Sequence, residues 1–390
     1  MKIVAAGGGS GGHVTPILAV LAELKRLDPE LKSYVITDRK FGIQASDIIK
    51  RSPLEVKLKK IYAGKLRRYH KVSIFKQLLD VPMMAKNFRD VFLVGVGLLQ
   101  SIAYLQKVKP DVVFTKGGFV CLPVGLAARL LRIPIVIHDS DAHPGLTNRI
   151  LSRYAKVIAT GAPAEHYPYP AGRTHYVGIP VRREFKPLTV KQQQACKAEL
   201  GLHDTTKPLL VVTGGGLGAR NINRAVVTIA PQLLDKVAIL HITGQANYQE
   251  VSEKAPDHID YLVKPFLPEG LAVAFGAADV VITRAGATTM VELASMAKPI
   301  IIIPHPHLTG GHQIKNAEVY EKADAAVILQ EEDIILDQRI LLKTLAGLFV
   351  HPDKRRVLAR NLHKFSRPEA ALDLAALIVE AAATNTKKAD

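Results

Sequence analysis

Residues 1–16 read MKIVAAGGGSGGHVTP, and this stretch decides the fold. The apolar run that begins at Ile3 predicts a buried strand, the glycines after it predict a tight loop, and Pro16 is suited to open the following helix. Glycines let the backbone approach a ligand closely, and the N-terminus of a helix attracts anions. The stretch therefore predicts a strand, loop and helix that together bind a phosphate group.

The same loop has an alternative interpretation as a dinucleotide site. Gly7, Gly9 and Gly12 fit the G-x-G-x-x-G pattern of NAD-binding folds, and Asp38 ends the second predicted strand, where a ribose-binding acid would lie. A glycine turn that only permits close packing of strand and helix is a further alternative. The loop alone does not choose among these three.

A second loop of the same kind, TGGGLGAR at residues 213–220, lies in the second half of the chain. Each loop heads a series of short apolar runs separated by helix-length segments, which is the pattern of βαβ units. The predicted strands lie at 3–6, 33–37, 112–115, 133–138 and 157–160, and then at 209–213, 238–243, 261–263, 280–283 and 300–304. We therefore predict an α/β fold of two Rossmann-like parallel-sheet domains, with both loops facing a common cleft.

Proline and glycine residues between the two series indicate where the domains divide. We predict an N-terminal domain over residues 1–165, a linker over 166–187 and a C-terminal domain over 188–350. Residues 351–390 are predicted to be helical, and a return to the N-terminal domain is one option for them.

Composition limits the class of protein further. The chain has 390 residues, of which 48% are hydrophobic and only 6% aromatic, and this profile suits parallel α/β architecture. Its net charge of +17 predicts an anionic partner: nucleic acid, acidic lipid or a phosphate-bearing substrate. The two cysteines are far apart, which predicts neither a disulfide framework nor a zinc site. We recognise no signal peptide, and no stretch convincingly spans a bilayer, although residues 91–104 approach that character.

Further motifs follow the first loop in a fixed order. They are KPDVV at 109–113, GGFV at 117–120, PGLTN at 144–148, GIPVR at 178–182, the second loop, RAGATTMVE at 284–292 and HQIKNA at 312–317. With GGSGGH at 8–13 before them, the chain resembles the MurG family, the UDP-N-acetylglucosamine transferases that complete the lipid-linked peptidoglycan precursor.

The resemblance implies the GT-B glycosyltransferase fold and an inverting reaction that uses no metal and no cofactor. N-acetylglucosamine would pass from UDP to the 4-hydroxyl of the muramyl unit of lipid I, a polyprenyl-pyrophosphate-linked muramyl peptide, to give lipid II. The C-terminal domain would bind the UDP-sugar and the N-terminal domain would bind the lipid-linked acceptor.

The catalytic residues implied by the resemblance are His13 and Asp139. The His13 imidazole would accept the proton of the attacking hydroxyl or hold that hydroxyl in line, whereas a histidine that only bonds the backbone is the alternative. Asp139 retains an acid where many relatives carry glutamate. The implied acceptor-binding residues are Gly8, Gly9, Thr15, Gly118 and Asn148.

The donor-binding residues are also implied by the resemblance. Glu292 would accept both ribose hydroxyls, the helix start near Ala287 would face the diphosphate, and Gln313 with His312 would read the sugar hydroxyls. The full set is Ser10, Gly11, Gly12, Asp141, Arg182, Gly215, Gly216, Phe266, Leu267, Ala287, Thr288, Thr289, Met290, Val291, Glu292, His312 and Gln313.

Two segments depart from the family pattern. Residues 138–141 read HDSD where many relatives have His-Glu-Gln-Asn, and the second loop has Gly216-Leu217 in place of Ser-Gln. We expect backbone N–H groups to replace the lost hydroxyl at the second loop, and the departures weaken the assignment of the acceptor.

A basic segment over residues 57–76 contains several lysines and arginines and no acidic residue, and apolar residues follow it up to Phe92. This pattern predicts peripheral binding to an anionic membrane surface, at the cytoplasmic face of the cell membrane. An ordinary helix with a solvated basic face is the alternative. No RNA- or DNA-binding motif accompanies the charge, so we do not predict a nucleic-acid partner.

Four other functions remain as alternatives. They are a UDP-sugar transferase with another lipid acceptor, a UDP-N-acetylglucosamine 2-epimerase, an NAD-dependent dehydrogenase and a non-catalytic UDP-sugar-binding scaffold.

Overall fold

The computed structural model describes residues 1–8, 11–39, 42–64, 81–140, 144–215, 218–267, 270–306 and 312–386. The chain divides into two compact units. Met1–Arg182 and Arg367–Asp390 form the first unit, and Arg183–Ser366 form the second. The boundaries predicted from the sequence, with the linker between them, stay a prediction.

The first unit contains a parallel sheet of seven strands in the order β3-β2-β1-β4-β5-β6-β7. The strands are β1 Lys2–Ala6, β2 Lys32–Asp38, β3 Val56–Ile61, β4 Val112–Thr115, β5 Ile135–Asp139, β6 Val157–Thr160 and β7 Thr174–Tyr176. The described helices are α1 Gly11–Leu27, α2 Gly42–Arg51, α3 Val81–Val108, α4 Cys121–Leu130, α5 Leu146–Leu151 and, at the far end of the chain, α15 Ala370–Thr386.

Alternate residues of each central strand face opposite sides of this sheet, so the unit has two apolar cores. Ile3 lies fully buried in the core that also contains residues of α1 and α15. Val4 lies fully buried in the other core, with residues of α4. Leu374 and Ile378 of α15 belong to the first of these cores, so a segment from the end of the chain completes the first unit.

The second unit repeats the plan with a parallel sheet of six strands in the order β10-β9-β8-β11-β12-β13. The strands are β8 Leu209–Thr213, β9 Ala238–Ile242, β10 Tyr261–Lys264, β11 Val280–Thr283, β12 Ile300–Ile302 and β13 Val327–Ile328. The described helices are α6 Val190–Glu199, α7 Arg220–Ile229, α8 Tyr248–Lys254, α9 Leu271–Ala277, α10 Ala287–Ser295, α11 His312–Lys322, α12 Glu331–Leu336, α13 Arg339–Val350 and α14 Pro352–His363.

Both sheets reverse their strand order once, between β1 and β4 in the first and between β8 and β11 in the second. Ligands of open α/β sheets bind beyond the carboxyl ends of the strands at such a reversal. The predicted fold class of two parallel-sheet α/β domains is therefore confirmed, and the topology indicates where each unit would bind a ligand.

One local expectation was wrong. Helix α1 begins at Gly11, so Pro16 lies in its second turn and does not open it. The alternative of an ordinary helix does not hold at the start of the basic segment, because Val56–Ile61 forms the edge strand β3 beside β2. Lys57 and Lys59 lie exposed on one face of that strand, where lysines discourage pairing with another chain. Residues 65–80 of the basic and apolar stretch lie outside the described residues.

One helix among the described residues is long and apolar enough to cross a membrane, judged by length and composition alone. It covers Phe88–Val108 within α3, and only 17% of its most apolar window is buried. Core helices of soluble proteins can pass the same test. Helix α3 contacts α4 and β3, while large apolar side chains on it face solvent: Phe88, Val91, Phe92 and Leu99.

Candidate active site

The loops after β1 and β4 approach each other closely at the reversal of the first sheet. A Cβ atom on Gly118 would lie 2.9 Å from the carbonyl oxygen of Gly8, too close for any other residue without movement of the backbone. Gly117 and Gly118 also have φ angles of +95° and +92°, which glycine adopts most readily. The turn therefore requires glycine at Gly118 for two independent reasons.

His13 lies in the first turn of α1 and lines a cavity of about 280 Å³ at this reversal. Gly117 brings the β4 loop beside it, since a Cβ atom there would lie 3.9 Å from His13 Cε1 and 3.5 Å from Asn148 Nδ2. Asp139 and Gly118 line the same cavity. The structure thus brings together both predicted catalytic residues and two of the predicted acceptor-binding residues.

Asp139 ends β5 and is only 3% exposed. Its Oδ2 accepts a hydrogen bond of 2.8 Å from the hydroxyl of Tyr169, whose ring stacks on Tyr167. Burial raises the pKa of Tyr169, and the neighbouring Asp139 charge raises it further. The tyrosine therefore stays protonated and holds the carboxylate in one orientation.

A chain of polar side chains lies beside the same cavity. Lys116, which directly follows β4, is 2% exposed, lines the cavity and donates a hydrogen bond to Ser140 Oγ. Ser140 Oγ lies 3.4 Å from His138 Nδ1, and His138 Nε2 lies 2.8 Å from the carbonyl oxygen of Gly178. Burial lowers the pKa of His138 well below its ordinary value, and the Lys116 charge lowers it further.

The remaining predicted residues of the first unit fall into three groups. Gly12 and Thr15 lie in the first two turns of α1, and Gly11 is its first residue. Arg182 is half-buried where the first unit ends. Gly9, Ser10 and Asp141 lie outside the described residues. Asp38, the acid of the dinucleotide interpretation, ends β2 and lies beside Gly8.

In the second unit, helix α10 begins directly after the loop that follows β11. Ala287, Thr288, Thr289, Met290, Val291 and Glu292 all lie on this helix, with Gly286 at its N-cap. The first N–H groups of a helix have no partner within the helix, so this helix start offers donors to an anion. Glu292 is 5% exposed and lies within the same helix, one turn further along.

Helix α11 lies beside this helix start. Asn316 Nδ2 donates a hydrogen bond of 3.1 Å to the carbonyl oxygen of Ala285, and Gln313 Oε1 accepts one of 2.9 Å from the backbone N–H of His305. The structure therefore places the segment of Gln313 next to the loop of the donor motif. The backbone of His312 belongs to α11, but its side chain lies outside the described residues.

The other predicted donor residues of the second unit follow β8 and β10. Gly215 has a φ angle of +75°, and its N–H donates a hydrogen bond of 3.1 Å to Thr213 Oγ1. Gly216 lies outside the described residues. Phe266 is 36% exposed after β10, whereas Leu267 packs against the core of the second unit.

Sequence reasoning missed several hydrogen-bonded polar residues near these loops. In the first unit they are Lys116, which is buried, and its half-buried neighbours Ser140 and Tyr169; in the second they are the buried Arg284 and Glu331 and the half-buried Asn221. Lys116 had a usable signal, because a lysine directly after the apolar run 112–115 is unusual at the end of a buried strand.

No metal centre is formed by the described part of the chain, where no group of three or more His, Cys, Asp or Glu side chains lies close enough to hold a metal ion. Cys121 and Cys196 are both free thiols. Burial raises the pKa of the Cys121 thiol to about 12, so it is not a reactive nucleophile.

Two family models match the chain, one for each unit. Residues 3–160 match the glycosyltransferase family 28 N-terminal domain, and residues 209–372 match the glycosyltransferase family 28 C-terminal domain.

Curated relatives match nearly the whole chain. A protein of Clostridium botulinum (strain Loch Maree / Type A3) is 35% identical over 97% of this chain and 98% of its own length, and one of Clostridium novyi (strain NT) is 34% identical over 90% and 92%. Both are named UDP-N-acetylglucosamine–N-acetylmuramyl-(pentapeptide) pyrophosphoryl-undecaprenol N-acetylglucosamine transferase.

Solved structures agree with the fold. The crystal structure of Acinetobacter baumannii MurG is similar with a TM-score of 0.67 and 25% identity, over 97% of this chain and 99% of that one. A Neisseria meningitidis UDP-GlcNAc 2-epimerase reaches a TM-score of 0.63 at 11% identity, over 97% of this chain and 100% of that one, which shows a shared fold alone. The calicheamicin glycosyltransferase CalG4 also has a TM-score of 0.63, at 15% identity over 97% of this chain and 98% of that one. Together these structures confirm the GT-B fold.

Proposed function

Because the chain belongs to the MurG family within glycosyltransferase family 28, we propose that it transfers N-acetylglucosamine from UDP-N-acetylglucosamine to the muramyl 4-hydroxyl of lipid I, forming lipid II. The observation that carries the proposal is the 35% identity to a named N-acetylglucosamine transferase over 97% of the chain. The reaction needs a base for the hydroxyl, a site for the lipid diphosphate and a site for the UDP leaving group.

The first unit would supply the base. His13 lines the cavity at the sheet reversal, and a neutral imidazole there would accept the proton of the attacking 4-hydroxyl. Asp139 lines the same cavity, and Tyr169 holds its carboxylate. We assign Asp139 the role of orienting the acceptor or the imidazole.

The second unit would hold the donor. The N-terminus of α10 would stabilise the negative charge that develops on the UDP diphosphate as the sugar leaves. Glu292 would accept the ribose hydroxyls, and Gln313 would bind a hydroxyl of the transferred sugar.

The experiment is a turnover assay with UDP-N-acetylglucosamine and a short-chain lipid-linked muramyl pentapeptide. We expect a disaccharide product and free UDP, and no product when diacylglycerol replaces the lipid-linked acceptor. Isomerisation of the sugar without acceptor, or UDP binding without turnover, would contradict the proposal. Calorimetric titration with UDP and with NAD is the complementary test, and we expect affinity for UDP only.

We also propose that the first unit binds the anionic cytoplasmic face of the cell membrane through the basic segment 57–76 and the exposed side of α3. Phe88, Phe92 and Leu99 are spaced as residues on one side of a helix, and they are 81%, 67% and 69% exposed. Lys57 and Lys59 are exposed on the strand that contacts this helix. Apolar side chains beside cations are the combination that binds an anionic lipid surface.

Vesicle sedimentation tests this membrane proposal. The variant with Phe92→Ser and Leu99→Ser should lose binding to vesicles that contain anionic lipid, and binding of the unchanged protein should weaken as salt rises. Leu336→Ser is the matched control, because this leucine is 84% exposed in the second unit. Equal binding by all three proteins would exclude α3 as the membrane-binding surface.

A further inference from the structure

Lys116 is a buried lysine that no motif of the resemblance includes. It is 2% exposed, and it lines the cavity that also contains His13 and Asn148. Burying a lysine is unfavourable unless polar groups compensate the charge, so this position needs a specific reason.

Ser140 and His138 hold the Lys116 ammonium group in place. His138 Nε2 lies 2.8 Å from the Gly178 carbonyl oxygen, so Nε2 carries the proton and Nδ1 is left as an acceptor. The Ser140 hydroxyl then donates to Nδ1 at 3.4 Å, and its lone pairs accept the hydrogen bond from Lys116. These hydrogen bonds run from Lys116 through Ser140 to His138 and the Gly178 carbonyl oxygen, and they fix the position of the lysine ammonium group.

A glycine turn forms the cavity wall beside Lys116. Gly117 and Gly118 follow it with φ angles of +95° and +92°, and helix α4 begins three residues later at Cys121. The first N–H groups of this helix, those of Cys121 and Leu122, already donate to the carbonyl oxygens of Gly118 and Phe119, so the glycine turn before them is the part of the wall that a ligand can approach closely. A fixed ammonium group next to this turn supplies the charge that a phosphate needs.

Asn148 adds an independent observation that points to a ligand. The residue is 4% exposed and lines the cavity, and its Nδ2 donates a hydrogen bond to the His138 carbonyl oxygen at 3.3 Å. Its Oδ1 is buried and has no hydrogen-bond partner in the described part of the chain. The missing partner is a donor, such as the amide N–H or a hydroxyl of a sugar.

We propose that Lys116 binds the diphosphate of the lipid-linked acceptor while Asn148 Oδ1 accepts a hydrogen bond from the attached amino sugar, an inference that rests on the proposed function. Ser140 is then a positioning residue for the lysine. The Ser140 hydroxyl accepts a hydrogen bond from Lys116, so its removal tests the position of the ammonium group without removing the charge. A phosphorylated N-acetyl sugar carries both groups, because its phosphate supplies the anion for Lys116 and its amide supplies the N–H donor for Asn148.

The test is a double-mutant cycle with Lys116→Met, Ser140→Ala and the double variant, with KM measured for acceptor and donor separately. Lys116→Met should raise the acceptor KM about tenfold or more and leave the donor KM unchanged, since hydrogen bonds to charged groups are among the strong ones. Ser140→Ala should raise the acceptor KM less, and it should have no further effect in the Lys116→Met background. Lys236→Met, at an exposed lysine of the second unit, is the control.

A second measurement uses acceptors joined to the lipid through one phosphate or two. The unchanged enzyme should prefer the diphosphate acceptor, and Lys116→Met should lose most of that preference. An unchanged acceptor KM, or a rise in the donor KM instead, would overturn the proposal. Absence of turnover by the unchanged enzyme would contradict the proposed function itself, so the two failures are distinguishable. If Lys116→Met does not fold by circular dichroism, the Ser140→Ala acceptor KM decides.

Discussion

Arg284 and Glu331 form a buried ion pair at the carboxyl edge of the second sheet, with 2.5 Å between Nη2 and Oε1. The arginine also donates a hydrogen bond of 3.0 Å to the Ile303 carbonyl oxygen, and the glutamate accepts one of 3.0 Å from Asn221 Nδ2. Burial raises the pKa of Glu331, but the hydrogen bond and charge of Arg284 outweigh it and leave the pKa below its ordinary value. The pair therefore ties together the segments that follow β11 and β12 and the start of α7.

Glu331→Ala should destabilise the second unit and weaken UDP binding. The substitution leaves the Arg284 guanidinium buried without its counter-charge, which costs about 3–5 kcal/mol, and it frees the loop that precedes α10. Urea unfolding and calorimetric titration with UDP measure the two effects. Glu332→Ala is the control, because that neighbouring glutamate is exposed. Similar behaviour of the two variants would show that the ion pair does not support the loop.

Gly118→Ala should disrupt the turn that carries Lys116. A side chain there is strained at a φ angle of +92°, and its Cβ would lie 2.9 Å from a backbone oxygen. Strain of this kind costs about 1–3 kcal/mol. Gly145→Ala is the control, since it lines the same cavity with no atom within 4 Å of an added Cβ. We expect lower stability and lower turnover for Gly118→Ala alone, measured by urea unfolding and steady-state kinetics.

Tyr169→Phe should lower kcat through Asp139. The tyrosine hydroxyl is a hydrogen-bond donor to the carboxylate at 2.8 Å, and the substitution removes this contact, which helps to orient the carboxylate. A decrease in kcat of about tenfold is expected from the loss of one such hydrogen bond, with little change in the donor KM. Tyr154→Phe, at a residue 44% exposed, should behave like the unchanged enzyme. A kcat for Tyr169→Phe equal to that of the control would show that the tyrosine hydroxyl does not contribute to catalysis.

His13→Ala should lower turnover far more than donor affinity. General bases contribute about 10²–10⁴-fold to a rate, whereas the proposed donor contacts lie mainly in the second unit. Steady-state kinetics and calorimetric titration with UDP measure the two quantities. Unchanged turnover would remove His13 from the mechanism, and a loss of UDP binding in proportion to turnover would make it a donor-binding residue.

His241 should make the second unit sensitive to acid. Burial lowers its pKa to about 3, while it hydrogen-bonds Tyr261 Oη at 2.8 Å and Asn223 Oδ1 at 3.1 Å. Between the unfolded pKa of about 6.5 and the folded value, the unfolded chain binds the extra proton, so stability falls as pH falls through that range. We expect the free energy of unfolding, measured by urea denaturation, to fall by about 2 kcal/mol between pH 7 and pH 5.

The matched variants for this prediction are His241→Phe and His203→Phe. The first should be less stable at pH 7, because it leaves two buried polar groups without a partner, but it should lose less stability on acidification. The second replaces an exposed histidine and should keep the full acid sensitivity. An identical pH dependence in all three proteins would exclude His241 as its source.

The central strands could be predicted from the sequence because they are buried on both faces. Val112–Thr115 and Leu209–Thr213 have the predicted bounds, since uninterrupted apolar runs between breakers define them. The edge strands β3, β7 and β13 could not be predicted in this way. Val56–Ile61 alternates lysine with apolar residues, and the other two have only three and two residues.

The glycine turns of the candidate site were predictable because local sequence encodes them. The polar pairs were not, since their members lie far apart in the chain. Lys116 and Ser140 are 24 residues apart, and Arg284 and Glu331 are 47 residues apart. Only the strand order brings each pair to one edge of a sheet, and no local pattern records that order.

The last described helix has a consequence for how the protein matures. Helix α15 covers one face of the first unit, where Leu374 and Ile378 are fully buried, although the whole second unit is translated before it. Part of the apolar core of the nascent first unit therefore stays exposed to solvent while the ribosome synthesises Arg183–Ser366. The second unit consists of that one continuous segment, so all of its residues are available before helix α15 is made. We therefore expect the first unit to finish folding after the second, although its synthesis starts earlier.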